Sequence, residues 1–480
     1  MNSVFSKLRF WALLTVVLAL VMLPAFSLIS GKGASASRPN IVFVLIDDLG
    51  YGDFSCTGNQ DVQTENIDRL AAEGARFTKF YVSSPICSPS RTAFLTGQYP
   101  ARHRMHSYLN NRAENKRRGM PDWLDASAPS IARTLKQAGY ATAHVGKWHL
   151  GGGRDVGDAP LPQAYGFDES LTSFEGLGDR LLIKGDGLSD QNAKLGNGKI
   201  EWFEKYELTR EYVNRSIDFM TRSKDQPFYL QLWLCDVHDA HKPSAESVAR
   251  FAGKGRSEDD RKFYAVLDEM DNQLGRLFAA IDKLGLAENT LIVLTGDNGP
   301  TAWPSYYKRG VEPPGSTAGD RGRKWSLYEG GIRQPLIVRW KGRVPAGRVN
   351  ESSVITGVDF FPTLCGIAGV KLPDANFDGE TMHNAWFGQT QQRKRPMFYE
   401  YGRDVGYVKP GRESDQSPTL MLREGDWKFL CNADGSKAEL YDLRRDPRET
   451  NNLITAQSKR AAAMQKRLLA WQKSLPDAGK

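Results

Sequence analysis

A cysteine and an arginine lie four residues apart in the segment Cys87-Ser88-Pro89-Ser90-Arg91. Proline favours the first position of a helix, so Cys87 is predicted to lie at or beside a helix N-terminus. Free backbone N–H groups and the positive end of the helix dipole gather there, and Arg91 adds a positive charge one turn further on. The segment therefore predicts a site for an anion. A bare Cys-x-Pro would more often be a buried structural cysteine.

Two acidic pairs follow apolar runs that read as buried strands. Asp47-Asp48 comes directly after the run at 41–46, and Asp297-Asn298 follows the run at 291–295. In an open α/β sheet, ligands bind outside the carboxyl ends of the strands, so these side chains are expected at one edge. Such a pair alone is usually a turn with a helix cap. Two such pairs together with Cys87 predict a site for calcium or magnesium, which spacing alone does not distinguish.

A lysine and a histidine alternate after another predicted strand, in Gly146-Lys147-Trp148-His149-Leu150-Gly151. Alternate residues of an extended segment share a face, so Lys147 and His149 can point into one site. A surface loop is the alternative for a lone Lys-x-His. The full string is more specific than that pair.

Two further segments carry polar groups after predicted strands. The strand at 227–234 is followed by His238 and His241, and Arg321-Gly322-Arg323-Lys324 leads to Tyr328-Glu329-Gly330-Gly331-Ile332-Arg333. A solvated basic loop is the alternative for the second segment. The stretch 303–320 before it is interpreted as a specificity loop.

These motifs together resemble the type I, formylglycine-dependent sulfatases, which are arylsulfatase-like members of the alkaline phosphatase superfamily. The resemblance covers about residues 38–455 and rests on five motifs in the family's order. They are Asp47-Asp48, Cys-x-Pro-Ser-Arg with Leu95-Thr96-Gly97, Gly-Lys-Trp-His-Leu-Gly, Asp297-Asn298, and Arg-Gly-x-Lys with Glu-Gly-Gly-x-Arg. A His-x-Pro at 241–243 also matches and selects His241 over His238, although His238 could fill the same role.

The resemblance implies a mechanism and a set of site residues. A formylglycine-generating enzyme would oxidise Cys87 to formylglycine, whose hydrate is the nucleophile, activated by Asp297 and the metal. One calcium ion, with magnesium as the alternative, would be held by Asp47, Asp48, Asp297, Asn298 and the residue at position 87. The remaining roles carried over from the family are charge neutralisation by Arg91, steadying of the formylglycine by Lys147, proton removal by His149, sulfate binding by Lys324, and leaving-group protonation by His241, with or without Lys324.

The implied activity is hydrolysis of sulfate esters, on a sulfated small molecule or a glycan. A phosphonate monoester or phosphodiester hydrolase of the same superfamily is a close alternative. A non-catalytic binder of sulfated glycans is the alternative from another class. Such a binder would have no need for Cys87 together with His149.

The elements that must position these residues alternate between strand and helix. Strands are predicted at 41–46, 77–82, 141–145, 227–234, 291–295 and 335–340, and helices at 64–74, 130–139, 208–223 and 259–284. This alternation predicts an α/β fold with a large, mostly parallel sheet sandwiched by helices, as in alkaline phosphatase. After a polar stretch near 389–394, short strands at 397–401, 419–423 and 427–431 and a helix at 456–474 predict a smaller antiparallel subdomain. We therefore expect a catalytic domain at 38–390 and a C-terminal subdomain at 391–480.

The N-terminus and the composition bear on location and partners. Lys7 and Arg9 precede an apolar run at 10–28 and a stretch of small residues, which predicts a signal peptide at 1–37 and an exported protein, periplasmic or secreted. An uncleaved membrane anchor is the alternative, and no stable membrane span is expected after cleavage. The formal charge of +8 over 480 residues includes no tract typical of nucleic-acid binding. Five cysteines leave up to two disulfides if Cys87 is converted, with the pairing undetermined.

Overall fold

The first strand of the protein shows why its apolar run is continuous. In the computed structural model, β1 (Asn40–Ile46) is fully buried and has parallel neighbours on both sides. Ile41, Phe43 and Leu45 pack into the core on one face of the sheet. The alternate residues Val42, Val44 and Ile46 pack into a second core on the other face. Successive strand residues point to opposite faces, so a strand covered on both sides must be apolar throughout.

The structure describes residues 38–196, 198–404 and 406–477, and the predicted signal peptide lies outside this part of the chain. These described residues belong to one compact unit. The remaining strands of the large sheet are β2 (Ala75–Tyr81), β3 (Ala141–Gly146), β4 (Glu169–Thr172), β5 (Arg180–Ile183), β6 (Ile200–Phe203), β7 (Phe228–Trp233), β8 (Thr290–Gly296), β9 (Arg333–Arg339), β10 (Arg348–Asn350) and β11 (Ile355–Thr356). A second sheet contains β12 (Met397–Glu400), β13 (Leu420–Glu424), β14 (Trp427–Cys431) and β15 (Glu439–Asp442).

The helices of the described chain lie between these strands, singly or in groups, and after the last of them. They are α1 (Glu65–Ala72), α2 (Cys87–Thr96), α3 (Arg112–Arg117), α4 (Ile131–Gln137), α5 (Gly187–Ala193), α6 (Leu208–Ser223), α7 (Ala245–Ala249), α8 (Glu258–Lys283), α9 (Pro304–Lys308), α10 (Glu329–Ile332), α11 (Phe360–Ala368), α12 (His383–Trp386) and α13 (Ser458–Lys473).

The large sheet has the order β10-β2-β9-β8-β1-β7-β3-β4-β5-β6, and β11 pairs with β2. Strand β9 is antiparallel to both β2 and β8, and the other pairings are parallel. Helices α2, α4 and α11 contribute to the core on one face of this sheet. Helices α1, α6 and α8 contribute to the core on the other face. The predicted sandwich with a mostly parallel sheet is confirmed.

The second sheet is antiparallel throughout, in the order β12-β13-β14-β15. Its own core joins residues from the strands, such as Leu422 and Phe429, to Met464 and Leu468 of α13. The predicted smaller antiparallel sheet followed by a helix is thus confirmed. The boundary near residue 390 stays a prediction.

Element positions follow the sequence patterns closely where hydrophobic periodicity is strong. Helix α6 has the predicted bounds, and β1 and α8 lie within one residue of theirs. The short strands β4, β5, β6, β10, β11 and β15 were not predicted, because each has four residues or fewer and too little periodicity to stand out.

The start of α2 differs in one detail from the expectation. The helix begins at Cys87, so Pro89 is its third residue and not its first. The N–H groups of the first turn have no intrahelical partner, so proline is tolerated there as well. Cys87 lies at the helix N-terminus, as predicted.

No helix in the described part of the chain is long and apolar enough to cross a membrane. All five cysteines lie in this part, and none of them forms a disulfide there.

A cluster of phenylalanines fixes α2 on the sheet, and this cluster can be tested. The Phe94 ring lies 5.2 Å from that of Phe43 and 4.8 Å from that of Phe360, centroid to centroid. We expect Phe94→Ala to lower the free energy of unfolding by about 3–5 kcal/mol, because it leaves a cavity in a packed core. Urea unfolding measures this loss. The exposed Tyr206→Ala should change the free energy by less than about 0.5 kcal/mol, and an equal loss in the two variants would contradict the packing described.

Candidate active site

The residues that follow several strands form a polar site at one edge of the large sheet. The ladder between β1 and β8 continues past the strands, because the Asp297 N–H donates to the Ile46 carbonyl at 3.0 Å. The Asp47 N–H likewise donates to the Asp236 carbonyl after β7, and the Lys147 N–H to the Trp233 carbonyl, each at 2.8 Å. The register of the buried strands therefore brings the residues that follow them to one place, as predicted.

The three carboxylates and the one amide at this edge, here called the acidic set, are buried and incompletely hydrogen-bonded. Asp47, Asp48, Asp297 and Asn298 are each at most 1% exposed. Asn298 Nδ2 donates to Asp48 Oδ1 at 2.8 Å, and the Asp48 N–H donates to Asp297 Oδ1 at 3.2 Å. Asp47 Oδ1 and Asn298 Oδ1 have no hydrogen-bond partner. Buried oxygens without donors are suited to a cation, so this set fits a hard metal ion.

Cys87 joins this set from the first turn of α2. One ligand atom each from Asp47, Asp48, Cys87 and His238 lies within 4.8 Å of the others, which is compatible with a shared ion. Burial raises the pKa of the Cys87 thiol to about 12, so the thiol is protonated at neutral pH.

The other residues of the Cys87 motif fix the helix. The Ser90 hydroxyl donates to the Ser84 carbonyl at 2.7 Å and ties the first turn to the preceding loop. Gly97 ends α2 in the left-handed region, with φ at 67°. Its N–H donates to the Ala93 carbonyl, a helix end that glycine adopts without strain. Ser90 and Gly97 therefore place Cys87 and do not themselves contact the acidic set.

Arg91 lies four residues after Cys87, on the same side of the helix, and is fully buried. Its Nε and Nη2 donate to Asp297 Oδ2 at 3.0 and 2.8 Å, and its Nη1 donates to the Lys147 carbonyl at 2.8 Å. Its guanidinium also lies over the Trp233 ring, 5.2 Å from the centroid. Arg91 thus links α2 to two of the strand ends.

The Gly-Lys-Trp-His segment needs its glycine. At Gly146 φ is 113°, and a Cβ there would lie 1.9 Å from the Trp233 carbonyl oxygen. The chain can therefore stay hydrogen-bonded to β7 while Lys147 turns into the site. Lys147 Nζ donates to Asp47 Oδ2 at 2.5 Å. Trp148, the residue between the two polar side chains, is buried in the core.

Lys324 reaches the site from the loop before α10. Its Nζ donates to both carboxylate oxygens of Asp48, at 2.6 and 2.7 Å. The following motif residue Glu329 anchors this loop, accepting hydrogen bonds from the Tyr81 hydroxyl and from Lys428 Nζ, each at 2.9 Å. Because Lys428 belongs to β14, the smaller sheet helps to hold the loop that carries Lys324.

The charges of the site balance. Three buried carboxylates face three buried cations, which are Arg91, Lys147 and Lys324. Burial alone would raise the pKa of Asp47, but Lys147 and the neighbouring cationic groups bring it well below its ordinary value. Burial and the charge on Asp47 raise the pKa of Asp297 to about 7, against Arg91 and Lys147. Burial would lower the pKa of Lys324, but the charge on Asp48 raises it.

The two candidate histidines after β7 have different surroundings. His238 Nε2 lies 3.6 Å from Asp48 Oδ2, so His238 borders the acidic set. His241 is turned towards its own segment, with Nε2 2.9 Å from the Val237 carbonyl and Nδ1 3.7 Å from Asp239 Oδ1. The structure therefore brings His238 to the cluster and leaves His241 beside it.

A cleft of about 180 Å³ opens beside the acidic set. Asp47, Lys147 and His238 line it, as do the apolar side chains of Phe174, Ile183 and Leu188, here called its apolar wall. Its other lining residues are polar or small: Asp186, Lys205, Cys235, Asp239, Ala240 and Lys242. A substrate that enters this cleft would meet the buried charges of Asp47 and Lys147.

Two charged residues next to His149 belong to none of the sequence motifs. Glu175 Oε2 lies 3.5 Å from His149 Nε2, and Arg154 Nε lies 2.8 Å from Glu175 Oε1. Both residues lie in glycine-containing loops at 151–154 and 175–178, and a single carboxylate in such a loop resembles any solvated side chain. Only the structure, which buries Glu175 beside His149, distinguishes them from solvated side chains.

Comparison with known proteins agrees with this geometry. The family model described as Sulfatase matches residues 39–370, and the model for the C-terminal part of N-sulphoglucosamine sulphohydrolase matches residues 322–474. The chain therefore belongs to the sulfatase family and is a sulfuric ester hydrolase of the alkaline phosphatase superfamily.

Individual relatives span nearly the whole chain. Arylsulfatase A of Homo sapiens is 33% identical over 454 residues, covering 88% of this chain and 84% of the relative. N-acetylgalactosamine-6-O-sulfatase of Bacteroides thetaiotaomicron is 28% identical and covers 90% and 94%. The crystal structure of Ps i-CgsB in complex with k-i-k-neocarrahexaose superposes with a TM-score of 0.76 at 25% identity, covering 92% and 94%.

The acidic set predicts a dependence on a divalent cation. Removing the cation by chelation should lower both activity and the unfolding temperature, because the buried oxygens of Asp47 and Asn298 that have no hydrogen-bond partner would lose their ligand. At a cation concentration one hundred times the Kd, binding should add about 2.7 kcal/mol to the free energy of unfolding. Elemental analysis and calorimetry with and without chelator measure these effects. Asp48→Asn should lose the metal and the exposed Asp282→Asn should retain it. Full activity of metal-free protein would contradict the assignment.

Proposed function

We propose that this enzyme hydrolyses sulfate esters with a nucleophile made from Cys87. The observation that carries the proposal is the convergence of three buried carboxylates and three buried cations on Cys87 at a helix N-terminus. Because its pKa is raised to about 12, the thiol itself would be a weak nucleophile. This supports conversion of Cys87 to formylglycine by a formylglycine-generating enzyme, as in the family. The hydrated aldehyde would supply a hydroxyl group for attack on sulfur.

We further propose that the metal is calcium. The set Asp47, Asp48, Asp297, Asn298 and the residue at position 87 offers mainly oxygen ligands, which suit calcium and, as the alternative, magnesium. Once bound, the ion would supply positive charge next to the reacting oxygens. Asp47 Oδ1 and Asn298 Oδ1, which lack hydrogen-bond partners, support this assignment.

The cations of the chain would bind the sulfate group. A sulfate ester resists attack because its oxygens repel a nucleophile, so the site must offset that charge. Lys147 reaches the acidic set from the end of β3, Lys324 from the loop before α10, and Arg91 from α2. Lys147 and Lys324 act against the rise in the pKa of the Cys87 thiol that burial causes, which is consistent with positive charge near position 87.

Two histidines would move protons. We assign the removal of a proton from the second hydroxyl at position 87, the one that does not attack sulfur, to His149. Its Nδ1 has no hydrogen-bond partner, and its Nε2 makes no hydrogen bond but lies 3.5 Å from Glu175 Oε2. Protonation of the departing alcohol is assigned to His241 on the His-x-Pro motif, with Lys324 as a possible partner. His238 is the second candidate, because it borders both the cleft and Asp48.

The substrate would be a sulfated small molecule or a glycan. The apolar wall of the cleft could pack against a sugar ring or an aryl group, while its lysines could contact further acidic groups. The names of similar proteins include an arylsulfatase and an N-acetylgalactosamine-6-O-sulfatase, which supports both classes. We also propose that residues 1–37 direct export, so that the mature enzyme is periplasmic or secreted.

The Cys87 peptide tests the nucleophile directly. Mass spectrometry should show loss of sulfur and gain of an aldehyde oxygen in protein made with a maturing enzyme. Cys87→Ala should lower kcat by roughly 10⁴-fold or more and leave folding intact, since it removes the precursor of the nucleophile.

Cys56→Ser is the matched control, because Cys56 is only half-buried and is not part of the candidate metal cluster. It should keep wild-type activity. Wild-type protein should also cleave nitrophenyl sulfate faster than the corresponding phosphonate monoester. Near-normal turnover by Cys87→Ala would refute the mechanism, and a preference for the phosphonate would select the alternative reaction.

Substitution of His241 and of His238 should change the dependence of the rate on the leaving group in different ways. His241→Ala should slow sulfates of weakly acidic alcohols much more than nitrophenyl sulfate, because a general acid matters where the leaving oxygen needs a proton. His238→Ala should show a flatter dependence, since its ring borders Asp48 and would support that metal ligand. Rates across aryl sulfates of graded phenol acidity measure both slopes. A steeper slope for His238→Ala would transfer the acid role to His238.

A further inference from the structure

Three charged or ionisable residues with strained backbones meet behind the active site. His149, Arg154 and Glu175 have φ values of 54°, 58° and 53°, in the left-handed region that residues other than glycine rarely adopt. Such strain persists only where the surroundings enforce it, and it is concentrated at functional sites. Here the three strained residues are each other's neighbours.

The contacts among them are specific. His149 Nε2 lies 3.5 Å from Glu175 Oε2, and the His149 N–H donates to the Glu175 carbonyl oxygen at 3.1 Å. On its other side Glu175 faces Arg154, whose Nε lies 2.8 Å from Oε1. Gly153 leaves the space that Glu175 occupies, since a Cβ at 153 would lie 2.7 Å from the Glu175 Cγ.

Because these residues are buried, their contacts restrict the tautomer of the His149 imidazole. His149 and Glu175 are 3% and 5% exposed, and the Phe174 ring packs edge-on against the His149 ring at 5.0 Å. Burial raises the pKa of Glu175, and Arg154 acts against that rise by favouring the carboxylate. A buried carboxylate that faces one ring nitrogen favours the tautomer that carries its proton on that nitrogen.

We propose that Glu175 is a positioning residue that holds His149 in the tautomer with its proton on Nε2, which leaves Nδ1 free to act as the base. The inference rests on the role proposed for His149. In the reaction, Nδ1 takes the proton from the second hydroxyl at position 87, the aldehyde C=O bond forms as the C–O bond to the transferred sulfate breaks, and inorganic sulfate leaves. The Glu175 carboxylate stabilises the resulting imidazolium, and its proton then passes to solvent. Glu175 itself touches neither the substrate nor the nucleophile.

The first test separates charge from packing. Glu175→Gln preserves the shape of the side chain and removes its charge. We expect kcat to fall by roughly a hundredfold, the lower end of what a positioned base contributes, and KM to fall with it, so that kcat/KM is nearly unchanged. Because His149 acts after the alcohol has left, nitrophenyl sulfate should give a burst of nitrophenol equal to the enzyme, followed by slow turnover. Glu201→Gln, which removes a partly exposed carboxylate paired with Arg215, should behave as wild type.

The second test reads the tautomer without turnover. In ¹⁵N-histidine-labelled protein that retains unmodified Cys87, the His149 ring shifts, identified by their loss in His149→Ala, should report a proton on Nε2. In Glu175→Gln the other tautomer should be populated.

The outcomes are separable. A wild-type enzyme with no turnover of any sulfate ester would overturn the proposed function. An active wild type with Glu175→Gln kinetics like those of Glu201→Gln would overturn only the role of Glu175. A wild-type His149 with its proton on Nδ1 would overturn it too, whether or not Glu175→Gln folds.

Discussion

The arrangement depends on the neutralisation of buried carboxylates at the edge of a parallel sheet. Asp47, Asp48 and Asp297 lie out of water, where an unpaired charge is costly. Arg91, Lys147 and Lys324 offset that cost, and each comes from a different element. Removing one partner of such a set would leave an uncompensated buried charge. The requirement explains why so much of the surrounding structure serves to hold these six side chains.

The surrounding elements meet this requirement by different means. Strand register places the aspartates and Lys147, because backbone hydrogen bonds continue past the ends of β1, β3, β7 and β8. Helix packing places Cys87 and Arg91, through the phenylalanine cluster beneath α2. The smaller sheet contributes through Lys428, which bonds to Glu329 and Glu449 and so holds the loop of Lys324. Both sheets therefore help to position the residues of the site.

The same physics explains which sequence predictions succeeded. The run at 41–46 predicted a strand covered on both faces, and the period of 208–223 predicted an amphipathic helix, since burial imposes these patterns directly. Short strands such as β5 and β15 carry no comparable pattern and were not predicted. Among the site residues, those in dense motifs next to strong strands lie together as expected. Glu175 and Arg154 went unnoticed because nothing local distinguishes a buried charge from a solvated one.

The sequence by itself determined the fold class, the family resemblance and the residues that meet at the sheet edge, because strand direction and order along the chain force those ends together. Only the tertiary structure decided which partners each side chain has. It put Lys147 on Asp47 and Lys324 on Asp48, brought His238 to the acidic set while His241 turned towards Val237, and enclosed Glu175 behind His149. Such pairings depend on burial and on distances between loops far apart in the chain, and neither quantity is encoded in local spacing.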